Sequence, residues 1–137
     1  MVFAGGYIVS AEQTDFGILY LCATPIGNLE DMTPRAQRML AEADIIAAED
    51  TRHTLQLLNR FNIKGRLVRY DEHSKERQGA YLLDELLSGK NIALVSDAGF
   101  PGIADPGAEL VALAHRHNYQ VVPLVGPSSI LLALIAS

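Results

Sequence analysis

The chain has 137 residues, 49% hydrophobic and 20% charged, with a formal net charge of −5 at pH 7. These values fit one soluble globular domain with a real core and exclude a disordered chain. The acidic balance excludes this segment, by itself, as a nonspecific nucleic-acid binder, since that affinity comes from Lys and Arg neutralising phosphates. Any RNA contact must be local or supplied by further sequence. The one cysteine, Cys22, excludes a disulfide scaffold or a multi-cysteine metal site and fits a reducing, cytoplasmic setting.

Met1 to Gly17 lacks the basic start and apolar core of a signal peptide and reads as a leader or disordered tail, so the domain is expected over 18–137. Ile18 to Ala23 is a continuous apolar run bounded by Pro25 and Gly27, the pattern of a strand covered on both faces. Thr33-Pro34 then supplies an N-cap followed by proline, and Ala36, Met39, Leu40 and Ala43 mark one helical face. A second buried strand, Ile45 to Ala48, ends in Glu49-Asp50-Thr51-Arg52-His53, and Leu55, Leu58 and Phe61 suggest a short helix. Leu67 to Tyr70 reads as a third, less apolar strand. Ser74 is expected to cap a helix burying Leu82, Leu83, Leu86 and Leu87, closed by Ser88-Gly89.

Ile92 to Val95 is the fourth strand, followed by Ser96 to Gly107, a loop dense in Gly, Pro and Asp. Asp105 and Pro106 look like the cap and first position of the next helix, in which Leu110, Val111, Leu113 and Ala114 point inward. Val121 to Val125 is a fifth strand, placed at a sheet edge by Pro123, which cannot donate to a ladder. Gly126-Pro127-Ser128-Ser129 opens a last helix, and the apolar run there is too short to span a bilayer. The chain stops at Ser137 inside that run without a cap signal, so a piece of a longer protein is expected. Strand and helix alternate five times without hairpin signals, which predicts an α/β fold: a five-stranded, mainly parallel, doubly wound sheet with helices on both faces.

The unusual residues all follow strands, so loops 24–32, 49–53, 96–107 and 126–129 are expected on one rim, where open α/β sheets bind ligands. Helix N-termini there suit a carboxylate or phosphate, while Asp31, Glu49, Asp50, Asp97 and Asp105 suit a cation. S-adenosylmethionine carries both kinds of group. A dinucleotide fold competes, with Glu49 holding a ribose hydroxyl, but Thr24-Pro25-Ile26-Gly27-Asn28 is not G-x-G-x-x-G. Neither a P-loop nor a G-x-S-x-G elbow is present. His115 and His117 complement a helix end rather than bind metal, and His73 is a solvated loop residue. Asp50 reads as a helix cap, and His53 beside Asp50 and Arg52 is the histidine to watch.

Leu19-Tyr20-Leu21 through Asp31, Glu49-Asp50-Thr51-Arg52, Ser96 to Gly99, Pro101-Gly102-Ile103, Asp105-Pro106-Gly107 and Gly126-Pro127-Ser128 together resemble the small-subunit ribosomal RNA methyltransferase I group within the tetrapyrrole methylase family. The resemblance implies two α/β domains with S-adenosyl-L-methionine between them, of which this chain covers the first. It also implies 2′-O-methylation of a cytidine ribose in small-subunit ribosomal RNA by a homodimer. By motif, Ile26 and Gly27 border the donor. Asp97, Ala98, Gly99, Phe100, Ile103 and Ala104 line it, and Ser128, Ser129 and Ile130 close one side. Phe100 and Ala104 stand where threonine and serine are expected, so two side-chain hydroxyls are absent.

The chemistry is an in-line displacement at a sulfonium methyl, in which positioning supplies much of the rate. A ribose hydroxyl is a weak nucleophile at neutral pH, so a base or strong acceptor helps. Asp50 and Glu49 are the candidates, with Arg52, His53 and Asn28 toward the substrate. A fixed Glu49–Arg52 ion pair that only shapes the loop is the competing role. Two other functions stay open: a methylase of the same fold acting on a macrocycle or a protein residue, and a nucleotide-binding module without chemistry.

Overall fold

The computed structural model describes residues 15–23, 32–96 and 107–124. Within them the strands are β1 (Ile18–Ala23), β2 (Ile45–Ala48), β3 (Arg66–Arg69), β4 (Ile92–Ser96) and β5 (Gln120–Leu124). The helices are α1 (Pro34–Glu42), α2 (Thr51–Arg60), α3 (Lys75–Leu87) and α4 (Gly107–Arg116). They form a parallel sheet in the order β3-β2-β4-β1-β5. The expected doubly wound α/β fold is present, and Pro123 does sit in an edge strand.

Alternation along the three inner strands divides the core in two. Leu19 and Leu21 of β1, Ile45 and Ala47 of β2, and Ile92 and Leu94 of β4 point to one face, under α3 and α4. Cys22, Ile46, Ala48, Ala93 and Val95 point to the other, under α1 and α2. Both faces are dry, so β1, β2 and β4 carry the continuous apolar runs of a covered parallel sheet. At the amino ends of these strands Asn91 ties them together. Its Oδ1 accepts from the Ile18 N–H at 2.9 Å, its carbonyl from the Asp44 N–H at 2.9 Å, and its own N–H donates to Asp44 Oδ2 at 2.8 Å.

Several local expectations shift. The third strand spans Arg66–Arg69, one residue earlier than Leu67 to Tyr70, and Tyr70 is buried just beyond it. Leu55 and Leu87 face solvent at 50% and 54% exposure. In α2 the helical period puts Thr54, Leu57 and Leu58 on the buried stripe and leaves Leu55 off it. Leu82 and Leu86 bury as expected, and Gly89 closes α3 at a φ of +98°, a conformation that favours glycine. Ser74 makes no side-chain cap bond to α3; its hydroxyl exchanges hydrogen bonds with Asp71, donating to Oδ1 at 2.9 Å and accepting from the N–H at 3.1 Å. Residues 15–17, expected with the leader, touch the fold: the Gly17 N–H donates to the Leu86 carbonyl at 2.8 Å and the Phe16 ring meets Tyr119 edge-on. A side chain at Gly17 would meet the Lys90 carbonyl oxygen at 1.8 Å.

Burial pushes the Cys22 thiol from 9.0 up to about 12. The stability this contributes is complete below about pH 9, where folded and unfolded chains both hold the proton, and is lost as pH rises through about 12. Cys22 is therefore expected to resist a thiol reagent at pH 8 until the chain unfolds, and stability to urea should fall more steeply above pH 9 than in Cys22→Ala. Rapid labelling of the folded chain would contradict this burial.

Candidate active site at the carboxyl rim

Because every described pairing is parallel, all five strands end on one side. Ala23 of β1 pairs with Ser96 of β4, and Ala48 of β2 pairs with Val95. The three inner strands thus finish side by side, each on a small residue: Ala23, Ala48 and Ser96. The helices that follow β1 and β2 lie on one face of the sheet, whereas the helix that follows β4 lies on the other. The helix after β4 and those after its two sheet neighbours therefore lie on opposite faces. In open α/β sheets ligands bind at the carboxyl end of the strands beside such a switch point. The loop 97–106 follows this central strand, flanked by the strands that lead into 24–31 and into Glu49.

Of the expected site residues, Glu49, Asp50, Arg52 and His53 are brought to this rim. Asp50 is the N-cap of α2: its Oδ1 accepts from the His53 N–H at 3.1 Å, so its expected capping role is met. Glu49, Asp50 and Arg52 are exposed and His53 is half-buried. Among the described residues no ion pair joins Glu49 to Arg52, so a fixed pair does not shape this turn. Asn28, Ile26, Gly27, Asp97, Ala98, Gly99, Phe100, Ile103, Ala104, Ser128, Ser129 and Ile130 lie outside the described residues, as do the expected cap Asp105 and Pro106. No group of three His, Cys, Asp or Glu among the described residues is placed to hold a metal ion, and no described helix is long and apolar enough to cross a membrane.

One polar device on the rim has no local signal in the sequence. Lys75 Nζ lies 2.7 Å from Glu72 Oε2 and 2.9 Å from Glu109 Oε2. The hydrogen bonds to Glu72 and then Glu109 raise the Lys75 ammonium above its usual range. Lys75 thereby links the start of α3 to the first turn of α4, directly after loop 97–106. A cavity of about 280 Å³ opens beside it, lined by Tyr70, Lys75, Gly79, Leu83, Glu109 and Leu113. Burial, then the charge of Glu109, pushes the Tyr70 hydroxyl up to about 12. This cavity lies between α3 and α4.

Residues 18–137 match the family model described as Tetrapyrrole (Corrin/Porphyrin) Methylases, and the chain belongs to that family. Among curated relatives it is 57% identical over 126 residues to Ribosomal RNA small subunit methyltransferase I of Halalkalibacterium halodurans, covering 92% of this chain and 44% of that protein. The protein of the same name from Bacillus subtilis is 56% identical over 125 residues, covering 91% and 43%. That from Escherichia coli O157:H7 is 50% identical over 128 residues, covering 93% and 44%. The chain thus spans less than half the length of these relatives. Among solved structures, uroporphyrin-III-C-methyltransferase from Thermus thermophilus superposes with a TM-score of 0.64 at 25% identity, covering 88% of this chain and 52% of that one.

The cap separates two roles of Asp50. Asp50→Ala is expected to destabilise the chain by about 0.5–2 kcal/mol, whereas Asp50→Ser keeps a capping oxygen and costs far less. Urea unfolding checks this; equal losses in both variants would contradict the cap.

Proposed function

We propose that this chain is the donor-binding half of a methyltransferase that methylates the 2′-hydroxyl of a cytidine ribose in small-subunit ribosomal RNA. The complete protein then has a second α/β domain and works as a homodimer in the cytoplasm. The observation that carries the reading is the rim itself: Glu49, Asp50, Arg52 and His53 stand at the same carboxyl edge from which loop 97–106 leaves the central strand. Relatives at 50–57% identity named for ribosomal RNA methylation favour this substrate. A macrocycle is favoured by the broader family's description and by structural neighbours at 25% identity, a more distant likeness than that of the relatives named for ribosomal RNA.

The methyl donor of this family is S-adenosylmethionine. When bound, it supplies an electrophilic methyl on a sulfonium. Asp97, Ala98, Gly99, Phe100, Ile103 and Ala104 would hold it from the loop after β4, Ile26 and Gly27 from the loop after β1, and Ser128, Ser129 and Ile130 from the segment after β5. Asp50 accepts a hydrogen bond or proton from the ribose hydroxyl. A carboxylate has a second oxygen, so capping through Oδ1 does not prevent this. Glu49 is the alternative acceptor. Arg52 pairs with an RNA phosphate, its planar fork matching two phosphate oxygens, while His53 and Asn28 border the RNA.

In the complete protein, methyl transfer from labelled S-adenosylmethionine to small-subunit ribosomal RNA is expected. Asp97→Ala should abolish donor binding by calorimetry, and Asp50→Ser should lower kcat by about 10²-fold or more while donor affinity holds. Undiminished donor affinity in Asp97→Ala would remove that residue from the site. Undiminished turnover in Asp50→Ser would leave Asp50 as a cap alone.

A further inference from the structure

Charge is distributed very unevenly along this acidic chain. Residues 51–70 contain five of its eleven Lys and Arg and none of its sixteen Asp and Glu, which leaves six bases against sixteen acids elsewhere. The fold gathers this segment in one place. It comprises α2, the edge strand β3 and their connection, at one border of the sheet, bounded by Asp50 and Asp71. Arg52, Gln56, Asn59 and Arg60 recur at helical spacing on the exposed side of α2, opposite buried Thr54, Leu57 and Leu58. Lys64, Arg66 and Arg69 are also exposed. The Arg66 guanidinium lies 5.4 Å from the centre of the Tyr81 ring, and Arg69 stands 3.7 Å from Asp71 while remaining 62% exposed.

We propose that this α2–β3 border is the surface on which the phosphate backbone of the RNA substrate docks, running from Arg52 at the catalytic rim through Arg60 and Lys64 to the edge strand. The inference rests on the ribosomal RNA reading above and adds to it the docking surface. Arg52 to Arg60 spans about 12 Å at 1.5 Å per helical residue, enough to follow a backbone away from a ribose held at the rim. Four of the five bases are arginines, whose forked guanidinium suits phosphate oxygens. Gln56 and Asn59 add neutral donors on the same stripe. Leu55 is the large apolar side chain exposed on α2, too little to insert into a lipid surface. A local positive stripe on a chain of net charge −5 also answers how an acidic protein approaches RNA: its remaining surface repels nonspecific phosphate contact, leaving this border as the favoured approach.

The test uses the complete protein and compares two triple variants of equal charge change. Arg60→Gln/Lys64→Gln/Arg66→Gln neutralises the border, and Arg77→Gln/Lys90→Gln/Arg116→Gln neutralises exposed bases elsewhere. Affinity for small-subunit ribosomal RNA is measured against salt concentration, together with KM for the RNA and affinity for S-adenosylmethionine. The border variant should bind RNA about tenfold or more weakly, with a salt slope smaller by about 2, and should keep its donor affinity. The control variant should change far less. If the wild type methylates the RNA and the border variant does so with the same KM and salt slope, the surface is overturned and the function stands. Equal weakening in both variants also overturns it, as does loss of binding to anionic lipid vesicles with RNA affinity unchanged. A wild type that neither binds nor methylates the RNA overturns the functional reading, and this surface with it.

Discussion

The structure depends on β4 being buried on both faces between two parallel neighbours. Ile92, Ala93, Leu94 and Val95 reach neither side of solvent, and β1 and β2 pair with them in one direction. Parallel pairing removes the option of hairpins, so each strand must return through a helix over one face. That constraint brings all strand ends to one rim. The helix after β4 lies opposite those after β1 and β2, which makes β4 a topological switch point. Asn91, just before β4, ties the other end by accepting from the first N–H groups of β1 and β2 and donating its own N–H to Asp44.

Asp50 has a structural duty, closing the first turn of α2, which fixes where its carboxylate sits before any substrate arrives. A group held in place by a cap is preorganised, and preorganised groups contribute more to catalysis than mobile ones. The same helix carries Arg52 and the basic stripe outward. One element thus joins the proposed transfer site to the proposed RNA surface. On the opposite face Lys75 ties the first turn of α4 to the start of α3.

The inner strands were legible because they are covered on both faces and read as unbroken apolar runs. The edge strand slipped by one residue because Arg66 and Arg69 dilute that signal, and Tyr70 extends the apparent run past the pairing. Leu55 and Leu87 show that apolarity alone does not assign a helical face; the period through Leu57 and Leu58, and through Leu82 and Leu86, decides it. Ser74 has the residue type of a cap, but Asp71 three residues earlier competes for its hydroxyl. At the site, the motif Glu49-Asp50-Thr51-Arg52 was legible and its capping geometry followed. The Lys75–Glu109 link was not, since it joins residues 34 positions apart with no local pattern between them. The concentration of charge at the α2–β3 border emerges once topology shows that the segment occupies one edge.

The central claim is that the complete protein modifies a ribose of small-subunit ribosomal RNA. Nucleoside mass spectrometry of that RNA, from cells with and without the intact gene, tests it most directly. The account predicts that one 2′-O-methylated cytidine disappears with the gene and returns when the gene is restored. An unchanged nucleoside profile would contradict it and move the acceptor to a different molecule.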